Sequence, residues 1–141
     1  MESAFNDAVA RTNAIAMLDL QIMQYKYYIN QCEINIAFCE GMNAEYRQHI
    51  LLHQEYMQRI IARDLDDSLS AQAQIVSIRT DIDRRAFMFE ENQKYIIRTY
   101  KDIREKSSAL REAIASVETN ERRIREILQY QKQRTRIVHR K

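Results

Sequence analysis

Apolar residues recur at every seventh position over much of the chain, which is the spacing of a coiled-coil core. Between residues 75 and 124 the row runs without a break. Seven residues are slightly fewer than two turns of a straight α-helix, so a helix with such a row winds around a partner helix. The row consists of Ile75, Ile82, Phe89, Ile96, Ile103, Leu110, Val117 and Ile124.

The partner helix is predicted in the first half of the same chain, which carries two such rows three positions apart. Together these rows occupy the a and d positions of a regular heptad pattern. The first row is Ile15, Ile22, Ile29, Ile36, Asn43, Ile50 and Met57. The second row is Leu18, Tyr25, Cys32, Cys39, Tyr46, His53 and Ile60.

A stretch rich in aspartate and serine separates the two halves near the chain midpoint. These residue types compete for backbone hydrogen bonds and therefore favour a turn, with Asp67 or Ser68 as the N-cap of a second helix. The sequence thus predicts an all-α fold in which two long helices form an antiparallel coiled-coil hairpin. We place a first helix at about 3–63, a turn at about 64–70, a second helix at about 71–136 and a basic tail at 137–141, in one coiled-coil domain spanning residues 1–141.

A register test supports the hairpin. In an antiparallel pair the numbers of facing residues have a constant sum, and one such register gives every residue of the second row an apolar or semi-polar mate. In the same register the first row faces a weaker stripe that includes polar residues. This register places Asn43 opposite Asn92, a polar layer of the kind that fixes register. The alternative is one continuous helix in a parallel dimer, because no proline or glycine forces a turn and coiled coils tolerate the phase shift at the midpoint.

The composition agrees with long helices, since the chain has no proline and one glycine. Hydrophobic residues make up 45% and charged residues 30%, which is too apolar for a disordered chain. The net charge is only +2, but from residue 122 to 141 the single acid is Glu126 among eight lysines and arginines. Such a basic tail suits nucleic acid, an anionic membrane or an acidic protein surface, and charge alone does not choose among them.

The cysteines and the N-terminus indicate a cytoplasmic protein. Cys32 and Cys39 are seven residues apart on one helix, beyond the reach of a disulfide, so we predict two reduced core residues. The first residues do not resemble a signal peptide, and no apolar run reaches the length of a transmembrane helix. Membrane association is therefore predicted to be peripheral at most.

No residue pattern points to catalysis or to a cofactor. His49 and His53 are four residues apart, with Glu45 one turn earlier, but both histidines fall at or beside the core, so we predict packing rather than a metal site. No nucleophile, base and orienting group occur together, and a two-helix coil offers no pocket for a small substrate. Packing also accounts for most tyrosines, so we predict neither an enzyme nor a nucleic-acid-binding protein.

Large apolar residues outside the core rows are more informative. Leu51 and Leu52 in the first helix and Phe87 and Met88 in the second fall at nearby heights in the proposed register. A two-helix coil cannot bury them all, and exposed apolar patches usually mark contact surfaces. We therefore predict a protein-binding surface there, with self-association into a four-helix bundle as the alternative. Phe38, Met23 and Met17 extend the set towards the termini.

In these features the chain resembles the central-stalk proteins of flagellar and type III secretion export ATPases, which are small cytosolic two-helix coiled coils. The resemblance covers the whole chain but rests on no motif, and the first two turns lack the basic residues of such stalks. It implies that the terminal end enters the pore of a hexameric export ATPase, while the other half faces export-gate components or chaperones. The residues predicted to contact the ATPase are Arg122, Arg123, Arg125, Arg134 and Arg136. The alternative is a structural coiled-coil subunit or adaptor of a larger assembly.

Overall fold

The computed structural model describes residues 2–63 and 69–140, with side chains through residue 138. These ranges contain two α-helices and no strand: α1 spans Glu2–Arg63 and α2 spans Leu69–Arg140. The two helices pack against each other with opposite chain directions. The predicted all-α hairpin is confirmed.

Helix α2 is longer than the sequence predicted. It begins at Leu69 rather than at about residue 71, and it continues past residue 136 to Arg140, so the predicted basic tail is helical up to that residue. The physical reason is that no proline or glycine interrupts this segment, and basic side chains near a helix C-terminus interact favourably with the helix dipole. The predicted N-cap at Asp67 or Ser68 and most of the predicted turn lie outside the described residues.

Gly41 does not interrupt α1. The helix passes through it without a positive φ angle, and a Cβ placed on Gly41 would meet no atom within 4 Å. The glycine therefore lowers helix propensity at this position without serving a turn or a close approach within the chain.

The contacts between the helices divide the chain into two compact units. The terminal unit comprises Met1–Gln31 and Ile103–Lys141, and the midchain unit comprises Cys32–Asp102. Each unit contains one segment of α1 and one of α2, and each is described by itself below. That the whole chain forms one domain stays a prediction.

The midchain unit is centred on a buried polar layer. The Asn92 amide donates a hydrogen bond to the Asn43 Oδ1 at 3.0 Å, and the Asn43 amide donates to the Phe89 carbonyl at 3.4 Å. This contact confirms the predicted pairing of Asn43 with Asn92. The buried side chains of the unit are otherwise small or aliphatic, apart from one threonine: Cys32, Ile36, Ile60, Ala71, Ile96 and Thr99.

The terminal unit has a similar but more open core. Ala113 is buried, and the core-row side chains around it are half-buried. Arg11 links the helices at one end of this core, since its Nη1 donates to the Asn120 Oδ1 at 3.0 Å while its Nε donates to Asp7 at 3.2 Å. The half-buried core-row residues are Ile15, Leu18, Ile22, Tyr25, Ile29, Ile103, Leu110, Val117 and Ile124.

Helix α2 completes its core stripe with a second row that is only partly apolar. The structure turns Thr99 and Ala113 inward and leaves their neighbours Tyr100 and Ile114 exposed. Lys106 covers the core with its stem, and its ammonium lies 5.8 Å from the Tyr25 ring centroid. The row is Ala71, Ile78, Arg85, Asn92, Thr99, Lys106, Ala113, Asn120 and Ile127.

Candidate protein-contact surfaces

The apolar residues predicted to bind a partner in the midchain unit are exposed. Leu51, Leu52, Phe87 and Met88 each leave a large part of the side chain uncovered. The structure does not gather them into one patch, however. Neighbouring residues on a helix point about 100° apart, so Leu51 and Leu52 lie on opposite flanks of α1. For the same reason Phe87 and Met88 point in different directions from α2.

Leu51 belongs to a groove of about 390 Å³ between the two helices. Apolar side chains form its base, and the guanidinium of Arg47 and the carboxylate of Glu90 lie at its edge. The guanidinium of Arg47 lies 5.5 Å from the centroid of the Phe89 ring. This is a cation–π distance, and the contact holds Arg47 at the edge of the groove. The groove, called the Leu51 groove below, is lined by Arg47, Ile50, Leu51, Ala86, Phe89 and Glu90.

The Leu51 groove has the chemistry of a protein-binding site. Its base can receive a large apolar side chain, and Arg47 can pair with an acidic residue beside that side chain. Arg47 forms no ion pair within residues 2–63 and 69–138, so its charge is available to a partner.

The opposite flank of the midchain unit carries Leu52 together with His49, Tyr56 and Met88, all exposed. Next to it, the Nε2 of His53 lies 3.2 Å from the Arg85 Nη1 and 4.0 Å from the Asp81 carboxylate. His53 is therefore engaged across the helix pair. Within the described residues no three His, Cys, Asp or Glu side chains come together in an arrangement that could hold a metal ion.

The five arginines predicted to bind an ATPase are exposed on α2 in the terminal unit. Arg123 pairs with Glu126 at 2.9 Å. The other four form no ion pair in the described part of the chain, so their charges are available to a partner. These four are Arg122, Arg125, Arg134 and Arg136.

Two large grooves combine some of these arginines with apolar side chains, and Arg123 lines a smaller groove of about 270 Å³ with Ile127 and Tyr130. Arg134 lines a groove of about 570 Å³ with Tyr130 and Val138, against the start of α1 at Ser3 and Ala4. Arg125 and Arg136 line a second groove of about 630 Å³ along α2 with Leu128. Guanidinium groups beside apolar surface suit a segment that carries both carboxylates and large apolar residues. The structure thus brings Arg125 and Arg136 to one groove, and it places Arg122 in none of these grooves.

One exposed surface was only partly recognised from the sequence. In the terminal unit, Met17, Leu20, Met23 and Tyr27 point away from α2 with exposed fractions of 66%, 54%, 68% and 68%. Met17 and Met23 were noted as apolar residues outside the core, but Leu20 and the outward position of Tyr27 were missed. The sequence feature that could have revealed this surface is the distribution of charge. All charged residues between residues 12 and 44 occupy the same heptad position. These residues are Asp19, Lys26, Glu33 and Glu40.

Comparison with known proteins identifies no relative of the chain. No protein-family model matches the chain, and neither the curated proteins nor the solved structures include a significant match. Neither described helix has a stretch long and apolar enough to cross a membrane.

Proposed function

We propose that the chain is a non-enzymatic coiled-coil subunit that connects proteins within a larger cytoplasmic assembly. The observation that carries this proposal is the Leu51 groove, where an apolar base made by both helices lies open beside Arg47, which forms no ion pair within the described residues. Large apolar side chains that stay exposed in a folded chain are typical of interaction sites. An apolar anchor next to an acidic residue on the partner would fill this groove.

Quantitative affinity purification from the native host tests this proposal. We expect Leu51→Asp to remove at least one protein that the unaltered chain retains, because a buried carboxylate in an apolar contact is strongly unfavourable. Gln48→Asp is the matched control, since Gln48 is exposed on the same helix but does not line the groove. Binding of each recovered protein is then repeated with purified components. If every protein binds Leu51→Asp as well as it binds Gln48→Asp, the proposal is contradicted.

A second and more specific proposal is that this subunit is the central stalk of a hexameric export ATPase. It is supported by Arg125, Arg134 and Arg136, which line two grooves of the terminal unit and form no ion pair within the described residues. In this proposal the arginines pair with carboxylates in the pore of the ATPase ring and favour one subunit state over another. The midchain unit then faces export-gate components or chaperones.

The ATPase encoded nearest the gene provides the test. We expect the chain to stimulate its ATP hydrolysis. The combined reversal of Arg125, Arg134 and Arg136 to glutamate should abolish stimulation, because attraction becomes repulsion. The effect of the unaltered chain should decline as salt increases. Reversal of Arg98, Arg104 and Arg111 is the matched control, since these arginines are exposed elsewhere on α2. Absence of binding and stimulation at low salt would eliminate the stalk proposal and leave the subunit proposal standing.

A further inference from the structure

The outward side of α1 in the terminal unit is apolar and uncovered. Met17, Leu20, Met23 and Tyr27 leave more than half of their side chains exposed, and Ala16 is also exposed. Gln24, which is uncharged and exposed, lies among them on the outward side. We call the five apolar residues the outer face of α1. A helix that is apolar on the side facing water as well as on the side facing its partner is expected to contact something else.

An apolar outward side is found on α1 in this unit but not on the segment of α2 that packs against it. The outward positions of α2 in the same unit carry charges of both signs, and Arg104, Arg111 and Glu118 are among the exposed residues. Such a surface is solvated and needs no cover. The most exposed apolar residues of α2 in this unit, such as Leu128 and Tyr130, lie closer to its C-terminal end. Along α2 from Arg104 to Glu118 and along the segment of α1 that it faces, the contact is therefore expected on the α1 side only.

One flank of the outer face carries two opposite charges. Asp19 and Lys26 are seven residues apart, so they lie on the same side of α1, two turns from each other. Both are exposed, and neither forms an ion pair within the described residues. The other flank, at Ala14, Gln21 and Tyr28, carries no charge.

We propose that the outer face of α1 binds the same face of a second copy of this chain, with the two α1 helices antiparallel. A twofold axis between antiparallel helices brings the same flank of each helix together. Asp19 of each copy then lies beside Lys26 of the other, which gives two ion pairs per dimer. The same arrangement lets Tyr27 pack over Ala16 of the second copy and Leu20 pack against Met23 of the second copy, so large side chains meet small or flexible ones.

The charges distinguish this arrangement from a parallel one. In a parallel pair with a twofold axis along the helices, the flank with Asp19 and Lys26 would face the uncharged flank of the other copy. The two charges would then gain no partner. Only the antiparallel pair uses both the apolar face and the charges beside it. This self-association uses neither the Leu51 groove nor the arginines near the end of α2, so it does not depend on the function proposed above.

A small helix-to-helix interface is expected to be weak. The outer face has five residues, far fewer than the roughly 20–30 residues that each partner contributes to a standard interface. We therefore expect a dissociation constant in the micromolar range, about 1 to 100 μM. Sedimentation equilibrium of the full chain should show a reversible monomer–dimer equilibrium in this range. A chain that stays monomeric up to about 200 μM would overturn the proposal.

Charge reversal provides the decisive test. Asp19→Lys and Lys26→Asp should each weaken dimerisation about tenfold or more, since each single variant places like charges together twice. An equimolar mixture of the two single variants should form a heterodimer, because every contact between them is again a pair of opposite charges. The double variant Asp19→Lys and Lys26→Asp should dimerise like the unaltered chain.

Glu118→Lys is the matched control, because it reverses an exposed charge on α2 in the same unit. It should leave dimerisation unchanged. Circular dichroism should show equal helicity for all variants, since exposed charges contribute little to folding. The antiparallel arrangement would be overturned if neither single substitution changed the dissociation constant of the dimer. It would also be overturned if an equimolar mixture of the two single variants stayed monomeric.

Discussion

At the scale of single residues, the polar layer shows what a sequence pattern can determine. Asn43 interrupts a row of isoleucines, and the constant-sum rule pairs it with Asn92, which the structure confirms at 3.0 Å. The exposure of Leu51, Leu52, Phe87 and Met88 was likewise predicted correctly. Their separation onto different flanks was not predicted, because a count of exposed apolar residues ignores the 100° step between neighbours. The Leu51 groove also needs Arg47 over Phe89, a side-chain arrangement that heptad positions do not specify.

The polar layer predicts opposite effects of single and double substitution. Asn43→Leu should destabilise the chain by about 1–2 kcal/mol, because Asn92 loses its partner inside the helix pair. Asn43→Leu with Asn92→Leu should recover that loss or exceed it, since both polar groups are then replaced by apolar ones. Urea unfolding measures both values, with Asn35→Leu as an exposed control on α1. A single variant as stable as the unaltered chain would show that the hydrogen bond contributes nothing.

At the scale of the helices, the two elements have the same core pattern but different outer surfaces. α1 keeps its charges between residues 12 and 44 at one heptad position, whereas α2 distributes them over its outward side. The sequence predicted the existence of both helices because proline is absent and the core rows are regular. It did not predict the end of α2, since charged residues are equally compatible with a solvated tail and with a solvated helix, and the structure shows the helix up to Arg140.

Gly41 gives a test at this scale. Gly41→Ala should stabilise the chain by about 1 kcal/mol, because the helix loses a residue of low propensity and the added Cβ meets open space. Gln48→Ala, another exposed position of α1, should change stability by only a few tenths of a kcal/mol. Thermal or urea unfolding compares the two. A loss of stability in Gly41→Ala would mean that another surface packs closely on α1 at this residue.

At the scale of the whole molecule, the fold follows from the sequence more directly than the function does. Heptad rows specify that two helices pair, because burying apolar stripes is the main source of stability for such a chain. The partners depend on a few side chains on the outer surfaces, where many arrangements are compatible with the same core. The near-neutral total of +2 also conceals the concentration of arginines near the end of α2. For this reason the candidate residues could be named from the sequence, whereas their grouping into grooves is seen only in the structure.

Disulfide trapping within one chain tests the central claim, the antiparallel pairing of α1 with α2, most directly. Leu18 and Val117 are both half-buried core-row residues of the terminal unit, and they face each other in the register that pairs Asn43 with Asn92. Cysteines at these two positions, in a chain whose Cys32 and Cys39 are replaced by alanine, should form a disulfide within the monomer on oxidation. Non-reducing electrophoresis with mass spectrometry should show an intact monomer with a cross-linked peptide pair. Disulfides formed only between two chains would contradict the hairpin and favour the continuous parallel dimer.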